Sequence, residues 1–564
     1  MTAEALVTGE IGLDSAGEST AGSTGGSTTA GSVVDVDPAA ARWVHERRLI
    51  VLAAAVVVIA AVWVSRQGLM FLYADARSHL TISRRVIDGP NRGVVQLGTV
   101  WLPLPHLLMT PLTAVQSWWH SGWAVIPVNV VCFAVEAVCV HRLLARRFGA
   151  RVAWVGVALL LVNPSLLYVH TTAMTEPVLL AAVLLTIAAL DHWSQLTKAY
   201  SGGEMAVFCG LPATAAVLAR YDGWMLAALG GVAVWWVAYR RWSDMRYAFK
   251  MARCFVLFPA IAVVWWCWFN WVNFGDPLEF QRGRYSAQVQ QKLLEAQGLL
   301  PDKGNLVRSI GTFGHAITRS VGWVMLVLAI AGVVVWGTRL VRARGTRTSS
   351  VVADVWPVLL LLVPAVFYIA SLYLGQIALR PAAEDGASLF NLRYGLAVLP
   401  GMVVFGGYAV DAALRRARVV AAPALLAVLL CTVTVGELAG LHGWRSVAVI
   451  REGLDQRASG QHQYDAGVWL QQHATSGRIL IDDSINPLLP VIDADLDRVI
   501  APFSRDWDAV LADLRLADWL YVDTQNPYDA VAEALRTSTT VGDDFEVAFA
   551  QVGVVVYHRR GGSA

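Results

Sequence analysis

The segment YADARSHL, residues 73–80, places an aspartate, an arginine and a histidine directly after the first long apolar stretch of the chain. Asp75 and His79 are four residues apart, so a helix would carry them on one face. An aspartate at the boundary between water and lipid is suited to general-base chemistry, and the histidine to orienting a substrate. The alternative is that Asp75 is an N-cap residue that accepts backbone N–H bonds.

A second acidic candidate, Glu176, lies in the turn TAMTEP. Thr175, Glu176 and Pro177 also make a good helix start, so this glutamate has a structural alternative as well. If it lies on the same side of the membrane as Asp75, the two carboxylates can face one cleft. Glu136 lies inside an apolar segment, where an ionised carboxylate is costly. For it the sequence favours a structural pairing with a neighbouring arginine.

Two arginines stand at the ends of later apolar segments. Arg220 precedes Asp222 in ARYDGW, and Arg393 precedes Tyr394 in NLRYGLAVLP. A single arginine at such a position commonly extends toward lipid headgroups, which is the structural alternative. A guanidinium is also well shaped to bind a phosphate through two parallel hydrogen bonds.

Two further histidines lie in segments next to these acids. His106 is part of the amphipathic LPHLLMTPL, and His170 precedes the TEP turn in NPSLLYVHTTAMTEP. With His79, they are candidates for substrate binding.

The elements that position these residues follow from composition. The 564 residues are 56% hydrophobic and 15% charged, with a mean hydropathy of +0.51, so most of the chain must lie in lipid. A membrane-spanning helix needs about 20 apolar residues. Eleven segments fit this length, near residues 49–66, 121–141, 151–169, 177–196, 204–221, 223–239, 251–272, 321–339, 355–375, 393–413 and 419–441.

Arginine clusters predict the orientation of these helices. RWVHERR, ARRFGAR, YRRWSDMR, RLVRARGTR and RRAR fall on one side when the eleven segments alternate, and basic loops are cytoplasmic. The sequence therefore predicts a cytoplasmic amino terminus and an external carboxyl terminus in the plasma membrane. Three domains are expected: a disordered tail over 1–41, a transmembrane catalytic domain over 42–441, and an extracytoplasmic domain over 442–564 whose short β-type runs alternate with helices.

Other chemistries have less support. DADLD at 493–497 resembles the start of a calcium loop, but Arg498 stands where the turn needs glycine and Ser504 where a glutamate is required. The six cysteines show neither metal-ligand nor paired spacing. A net charge of +2 gives no indication of nucleic-acid binding.

Together these features resemble the GT-C class of integral-membrane glycosyltransferases. The shared features are a loop aspartate after the first membrane helix, amphipathic helices along the membrane, and the TEP, RYDGW and late RY motifs. The nearest branch is similar to protein O-mannosyltransferases and aminoarabinose transferases, and the resemblance covers roughly residues 45–441. It implies a polytopic α-helical fold with about eleven membrane helices.

The resemblance also implies a function for the candidate residues. Donors in this class are polyprenyl-phosphate sugars; Asp75 matches the family's loop aspartate, Glu176 its second acid, and Arg393 the basic residue near the donor phosphate. YADAR has one acid rather than an adjacent acidic pair, so a site without a cofactor is favoured over one with a divalent cation. The sequence leaves mannose and arabinofuranose open as the transferred sugar. It also leaves open whether the acceptor is a glycan, a lipid or a protein.

Two alternatives stay open from the sequence. A transporter or lipid-linked-sugar flippase also needs many helices and outer-leaflet arginines, but such proteins often contain internal repeats, and none is evident here. A scaffold without catalytic activity, presenting the outer domain, is favoured only if the charged residues near Asp75 are scattered in space.

Overall fold

The computed structural model describes residues 38–561 except 284–285, 297, 343–355, 382–387, 418, 441–442 and 539–540. The predicted disordered tail covers residues 1–41, and its residues 1–37 lie outside the described residues. A helix over Pro38–Arg66 follows and contains the first apolar segment.

Long apolar helices dominate the molecule. In the described part of the chain, nine helices have the length and composition to cross a membrane: His45–Arg66, Trp123–Phe148, Glu176–Gln195, Gly202–Ala219, Met245–Phe274, Trp323–Arg342, Trp356–Tyr373, Leu392–Leu414 and Ala422–Ala439. Many of their apolar side chains point outward, including Ile59, Val264 and Leu425, as expected for surfaces in contact with lipid. The protein is therefore a multi-pass membrane protein.

All eleven predicted segments are helical, but the predicted count of eleven spans is not confirmed. The segment predicted over 151–169 forms two shorter helices, Ala150–Leu161 and Pro164–Val169, because Asn163 ends one helix and caps the next by accepting from the backbone N–H of Leu166. The segment predicted over 223–239 forms the helix Asp222–Trp242, which is long but is not among the nine.

Shorter helices fill the connections. They are Ala74–Arg85, Val94–Leu97, Leu104–Thr113, Gln116–Ser121, Glu279–Arg282, Ala287–Ala296 and Leu306–Ser320. The first and third of these contain the two amphipathic segments of the loop between the first two membrane helices. Ser83 and Thr110 join these two helices, since the Thr110 hydroxyl donates to the Ser83 carbonyl at 3.2 Å.

The carboxyl-terminal part contains a five-stranded sheet in the order β2-β1-β3-β5-β4, with β1 parallel to β2 and β3 and the other pairs antiparallel. Its strands are β1 Ile479–Leu480, β2 Val499–Ile500, β3 Trp519–Asp523, β4 Phe545–Gln551 and β5 Val554–Arg559. Its principal helices are Ala448–Ser459, Gln461–His473, Trp507–Ala512 and Ala530–Thr537. The predicted α/β pattern is confirmed.

This carboxyl-terminal part packs against the loop between the first two membrane helices. The Arg77 guanidinium donates to the Pro487 carbonyl at 2.8 Å, and the Asn91 amide donates to the Phe503 carbonyl at 3.0 Å. The Arg85 guanidinium lies 4.3 Å from the centre of the Phe503 ring. The loop that carries Asp75 is therefore held in place by the carboxyl-terminal part.

Candidate functional site

Arg393 is the centre of a charged cluster. It lies in the 3₁₀ turn Leu392–Val398, preceded by Asn391 at a positive φ of 60°. Its side chain is 4% exposed, and its Nη2 donates to Asp75 Oδ2 at 2.5 Å while its Nε donates to Glu176 Oε1 at 3.1 Å. Three predicted site residues, spread over more than 300 positions of the chain, therefore meet at one guanidinium.

Asp75 is not an N-cap. The helix Ala74–Arg85 has Tyr73 at its N-cap position, without a side-chain cap bond, and Asp75 is in its first turn. The Asp75 carboxylate is directed to Arg393, and its side chain is 42% exposed. It is thus the most accessible acid of the cluster, which is the property that a base acting on an incoming hydroxyl needs.

Glu176 is shared between two arginines. The Arg220 Nη1 donates to Glu176 Oε1 at 3.2 Å and to the Thr175 hydroxyl at 2.9 Å. The other side of Arg220 faces the Tyr368 hydroxyl at 3.2 Å, and its Nε lies 3.7 Å from Asp222 Oδ1. Because Glu176 Oε1 faces both guanidinium groups, it holds two positive charges next to each other.

Aromatic rings hold the guanidinium groups in place. Tyr394 lies 5.3 Å from the guanidinium carbons of both Arg393 and Arg220, and Tyr73 lies 5.1 Å from that of Arg393. Tyr368 stacks on Tyr394 with ring centres 4.9 Å apart. Contacts of cations with ring faces favour a fixed orientation of the arginines. Tyr394 was a candidate from the sequence, whereas Tyr368 was not, because it lies in the middle of an apolar helix.

Glu452 is a fourth acid of the cluster that the sequence analysis missed. It lies in the helix Ala448–Ser459, is fully buried, and its Oε1 is 3.8 Å from Arg393 Nη1. Burial raises the pKa of Glu452, whereas Arg393 and the backbone N–H groups of Asn391 and Leu392 act in the opposite direction. No motif marks this residue, because its segment follows the last membrane helix.

His79 and His106 form a buried pair beside the cluster. His79 Nδ1 lies 2.9 Å from His106 Nε2, and the His79 ring centre lies 4.5 Å from that of Trp101. Burial lowers the pKa of His79 to about 3, although Glu176 raises it, and Arg393 lowers it further. Burial and the adjacent His79 also lower the pKa of His106. Both imidazoles are therefore neutral at physiological pH.

His170 and Glu136 form a separate pair. His170 Nε2 lies 3.0 Å from Glu136 Oε1, and both side chains are fully buried. The prediction that an arginine pairs with Glu136 is wrong, since its partner is a histidine from the turn between two helices. The contacts of His170 are with Glu136, the Phe133 ring and the Leu166 carbonyl. The structure does not bring His170 into the arginine cluster.

The acids of the cluster are paired with guanidinium groups. Among the described residues, no group of three or more His, Cys, Asp or Glu side chains is arranged to hold an ion. Asp75, Glu176 and Glu452 all face Arg393, so guanidinium groups already take the place of a cation. In the DADLD segment, Asp493 accepts from Gln116 and Asp495 from the backbone N–H of Asp497.

Comparisons with known proteins give similarity in structure only. No family model matches the sequence, and no curated protein matches it. ArnT from Cupriavidus metallidurans bound to undecaprenyl phosphate matches with a TM-score of 0.53 and 13% identity, covering 91% of this chain and 98% of that chain. Its apo state matches with a TM-score of 0.52 and 15% identity, covering 92% and 98%.

A further match is the Archaeoglobus fulgidus oligosaccharyltransferase in a complex with Zn and sulfate, with a TM-score of 0.48 and 11% identity over 85% of this chain and 68% of that chain. The two ArnT structures each cover more than nine-tenths of this chain. The chain therefore has the fold of the GT-C class of integral-membrane glycosyltransferases.

Proposed function

We propose that this chain is an inverting glycosyltransferase that moves a monosaccharide from a polyprenyl-phosphate donor to a hydroxyl acceptor at the outer face of the plasma membrane. Asp75 is the general base, and Arg393, with Arg220, binds the donor phosphate. Glu176 and Asp222 orient the two arginines. The observation that carries the proposal is the contact of an accessible carboxylate, Asp75, with the buried Arg393, which Glu176 links to the partly buried Arg220.

In the proposed resting site, Asp75 and Arg393 neutralise each other at 2.5 Å. A donor phosphate competes with Asp75 for the same guanidinium edge, because carboxylate and phosphate are both bound by parallel N–H groups. Binding of the donor then releases the Asp75 carboxylate. The base becomes available only when the leaving group is in place.

The reaction forms a bond between the acceptor oxygen and the anomeric carbon and breaks the bond between that carbon and the phosphate oxygen. Asp75 takes the proton of the acceptor hydroxyl. The electron pair of the broken bond stays on the phosphate, whose charge Arg393 and Arg220 stabilise. Attack from the face opposite the phosphate inverts the anomeric carbon. No step needs a metal ion.

The donor class is supported by the likeness of fold to ArnT, which was determined with undecaprenyl phosphate bound. The proposed orientation has a cytoplasmic amino terminus and an external carboxyl-terminal domain, as the arginine clusters predict. The catalytic domain is proposed to span 42–441, followed by an extracytoplasmic domain over 442–564.

The test is Asp75→Asn, which keeps the size of the side chain and removes the base. We expect a folded, membrane-inserted protein whose sugar transfer from labelled polyprenyl-phosphate donors falls by at least about 100-fold. Asp88→Asn is the matched control, because Asp88 lies on the same loop and pairs with Arg84 at 2.5 Å, outside the cluster. Normal turnover by purified Asp75→Asn would refute the assignment.

A further inference from the structure

We infer that Glu452 is a positioning residue that fixes the turn carrying Arg393 and thereby makes the carboxyl-terminal part a component of the donor-phosphate site. This inference rests on the proposed function and goes beyond it. It assigns to the site a residue that lies outside the predicted catalytic domain over 42–441.

The contacts of Glu452 are with the backbone at the start of the Arg393 turn. Its Oε1 accepts from the Asn391 backbone N–H at 2.7 Å, and its Oε2 accepts from the Leu392 backbone N–H at 2.8 Å. Asn391 has a positive φ of 60°, in the left-handed region that asparagine adopts more readily than most other residues except glycine. A carboxylate that binds two successive N–H groups therefore fixes the turn directly before Arg393.

The same helix also packs against the segment that leads to Asp75. The Tyr73 hydroxyl donates to the Val449 carbonyl at 2.6 Å. A Cβ added at Gly453 would lie 2.9 Å from the Leu72 Cβ, so only glycine allows this approach. The helix Ala448–Ser459 thus contacts Arg393 and the segment directly before Asp75. A shift of this helix would change their separation.

A structural role alone would make Glu452 a helix cap with no effect on ligand binding. The chain offers a matched case in Glu437, whose carboxylate accepts from the backbone N–H groups of Trp323 and Val324 at the start of another helix. Within the described residues, no arginine forms an ion pair with Glu437. It has the same capping chemistry without a charged site next to it.

The experiment compares Glu452→Gln, Glu452→Asp and Glu437→Gln in the full-length detergent-solubilised protein. Melting temperature and the dissociation constant of undecaprenyl phosphate are measured, with Arg393→Ala as the variant that removes the phosphate contact. Glutamine cannot accept from both N–H groups, and aspartate is shorter by one methylene. We expect affinity to fall by about tenfold in Glu452→Gln and about threefold in Glu452→Asp, with Glu437→Gln unchanged.

Each outcome decides a specific point. Wild-type affinity in both Glu452 variants would overturn the inference and leave the proposed function intact, as would an equal loss of affinity in Glu437→Gln. If Glu452→Gln does not fold, Glu452→Asp decides alone, and wild-type affinity there overturns the inference. A wild-type protein that does not bind undecaprenyl phosphate would overturn the proposed function, and the inference with it.

Discussion

Among the acids of the site, Asp75 is the most exposed to solvent, with 42% of its side chain accessible against 7% for Glu176. His79 lies beside the arginines, but burial lowers its pKa to about 3, so its imidazole is neutral at physiological pH. A neutral imidazole can hydrogen-bond a sugar hydroxyl, but at this site it binds a proton only weakly. In the proposed mechanism, Asp75 rather than His79 therefore takes the proton.

The neutral His79 predicts a pH dependence of stability. The unfolded chain binds a proton at His79 below about pH 6.5, whereas the folded chain does so only near pH 3. The unfolded state thus holds more protons in this window, and stability falls as pH decreases through it, by about 1.4 kcal/mol per pH unit. We expect the melting temperature to decrease from pH 7 to 5.5, and less so in His79→Gln.

The exposed His473 provides the control for this measurement. Burial raises the pKa of some acids, such as that of Asp483 to about 7, so their protonation increases stability as pH decreases. This contribution is the same in all variants. His473→Gln should keep the wild-type dependence. An identical dependence in wild type and His79→Gln would show that His79 is protonated in the folded protein.

At the scale of elements, the helix Ala74–Arg85 depends on Arg77 for its attachment on both sides. The Arg77 guanidinium donates to the Phe71 carbonyl at 2.6 Å before the helix and to the Pro487 carbonyl at 2.8 Å in the carboxyl-terminal part. Hydrogen bonds to charged groups contribute about 1.5–3 kcal/mol each. Removal of this side chain should therefore weaken the packing of the carboxyl-terminal part on the loop.

We expect Arg77→Ala to lower stability by about 2–3 kcal/mol and to make the segment after residue 442 more sensitive to protease. Limited proteolysis of the detergent-solubilised protein, together with its melting temperature, measures both effects. Arg92→Ala is the control, because Arg92 is exposed and donates only to Gly89, three residues away. Equal cleavage in the two variants would argue against the attachment.

The elements also show what the sequence could predict. Hydropathy locates the apolar helices because a membrane needs about 20 apolar residues, and nine helices of the described chain have that length and composition. Strands β2 and β4 are harder to predict from the sequence, since β2 has only two residues and β4 mixes apolar and polar side chains. Short strands are stabilised by their neighbours, and these are distant in the sequence.

For the site, residue type and position relative to the membrane were sufficient to select Asp75, Glu176 and Arg393, which the structure brings together. Glu452 was missed because its role depends on two backbone N–H groups some 60 residues away. The Glu136 partner was wrong for a similar reason: only the folded chain brings His170 next to it. Pairings of this kind are a property of the tertiary structure.

At the scale of the whole molecule, the contacts of the cluster constrain how often the chain crosses the membrane. Asp75 and Glu176 bind the same arginine, so the chain between them must return to its starting side. The helix Trp123–Phe148 supplies one crossing. The return must be made by Ala150–Leu161 together with Pro164–Val169, although neither is long enough alone.

The same reasoning applies to Arg220 and Arg393, which both lie over the Tyr394 ring. The chain between them must therefore cross the membrane an even number of times. Three of the nine apolar helices lie between them in sequence: Met245–Phe274, Trp323–Arg342 and Trp356–Tyr373. An odd number would leave the arginines on opposite sides. A fourth crossing is needed, and the 21-residue helix Asp222–Trp242 has the length for it.

We therefore expect eleven crossings, with the turns before Arg151 and at Ser243 on the cytoplasmic side and Ser117 outside. In a background without the six cysteines, a membrane-impermeant maleimide should label Ser117→Cys in intact cells. Arg151→Cys and Ser243→Cys, at exposed positions, should be labelled only after the membrane is permeabilised. Labelling of Ser243→Cys in intact cells would mean that Asp222–Trp242 does not cross. Arg220 and Arg393 would then lie on opposite sides of the bilayer. That result would contradict the contact that both arginines make with Tyr394.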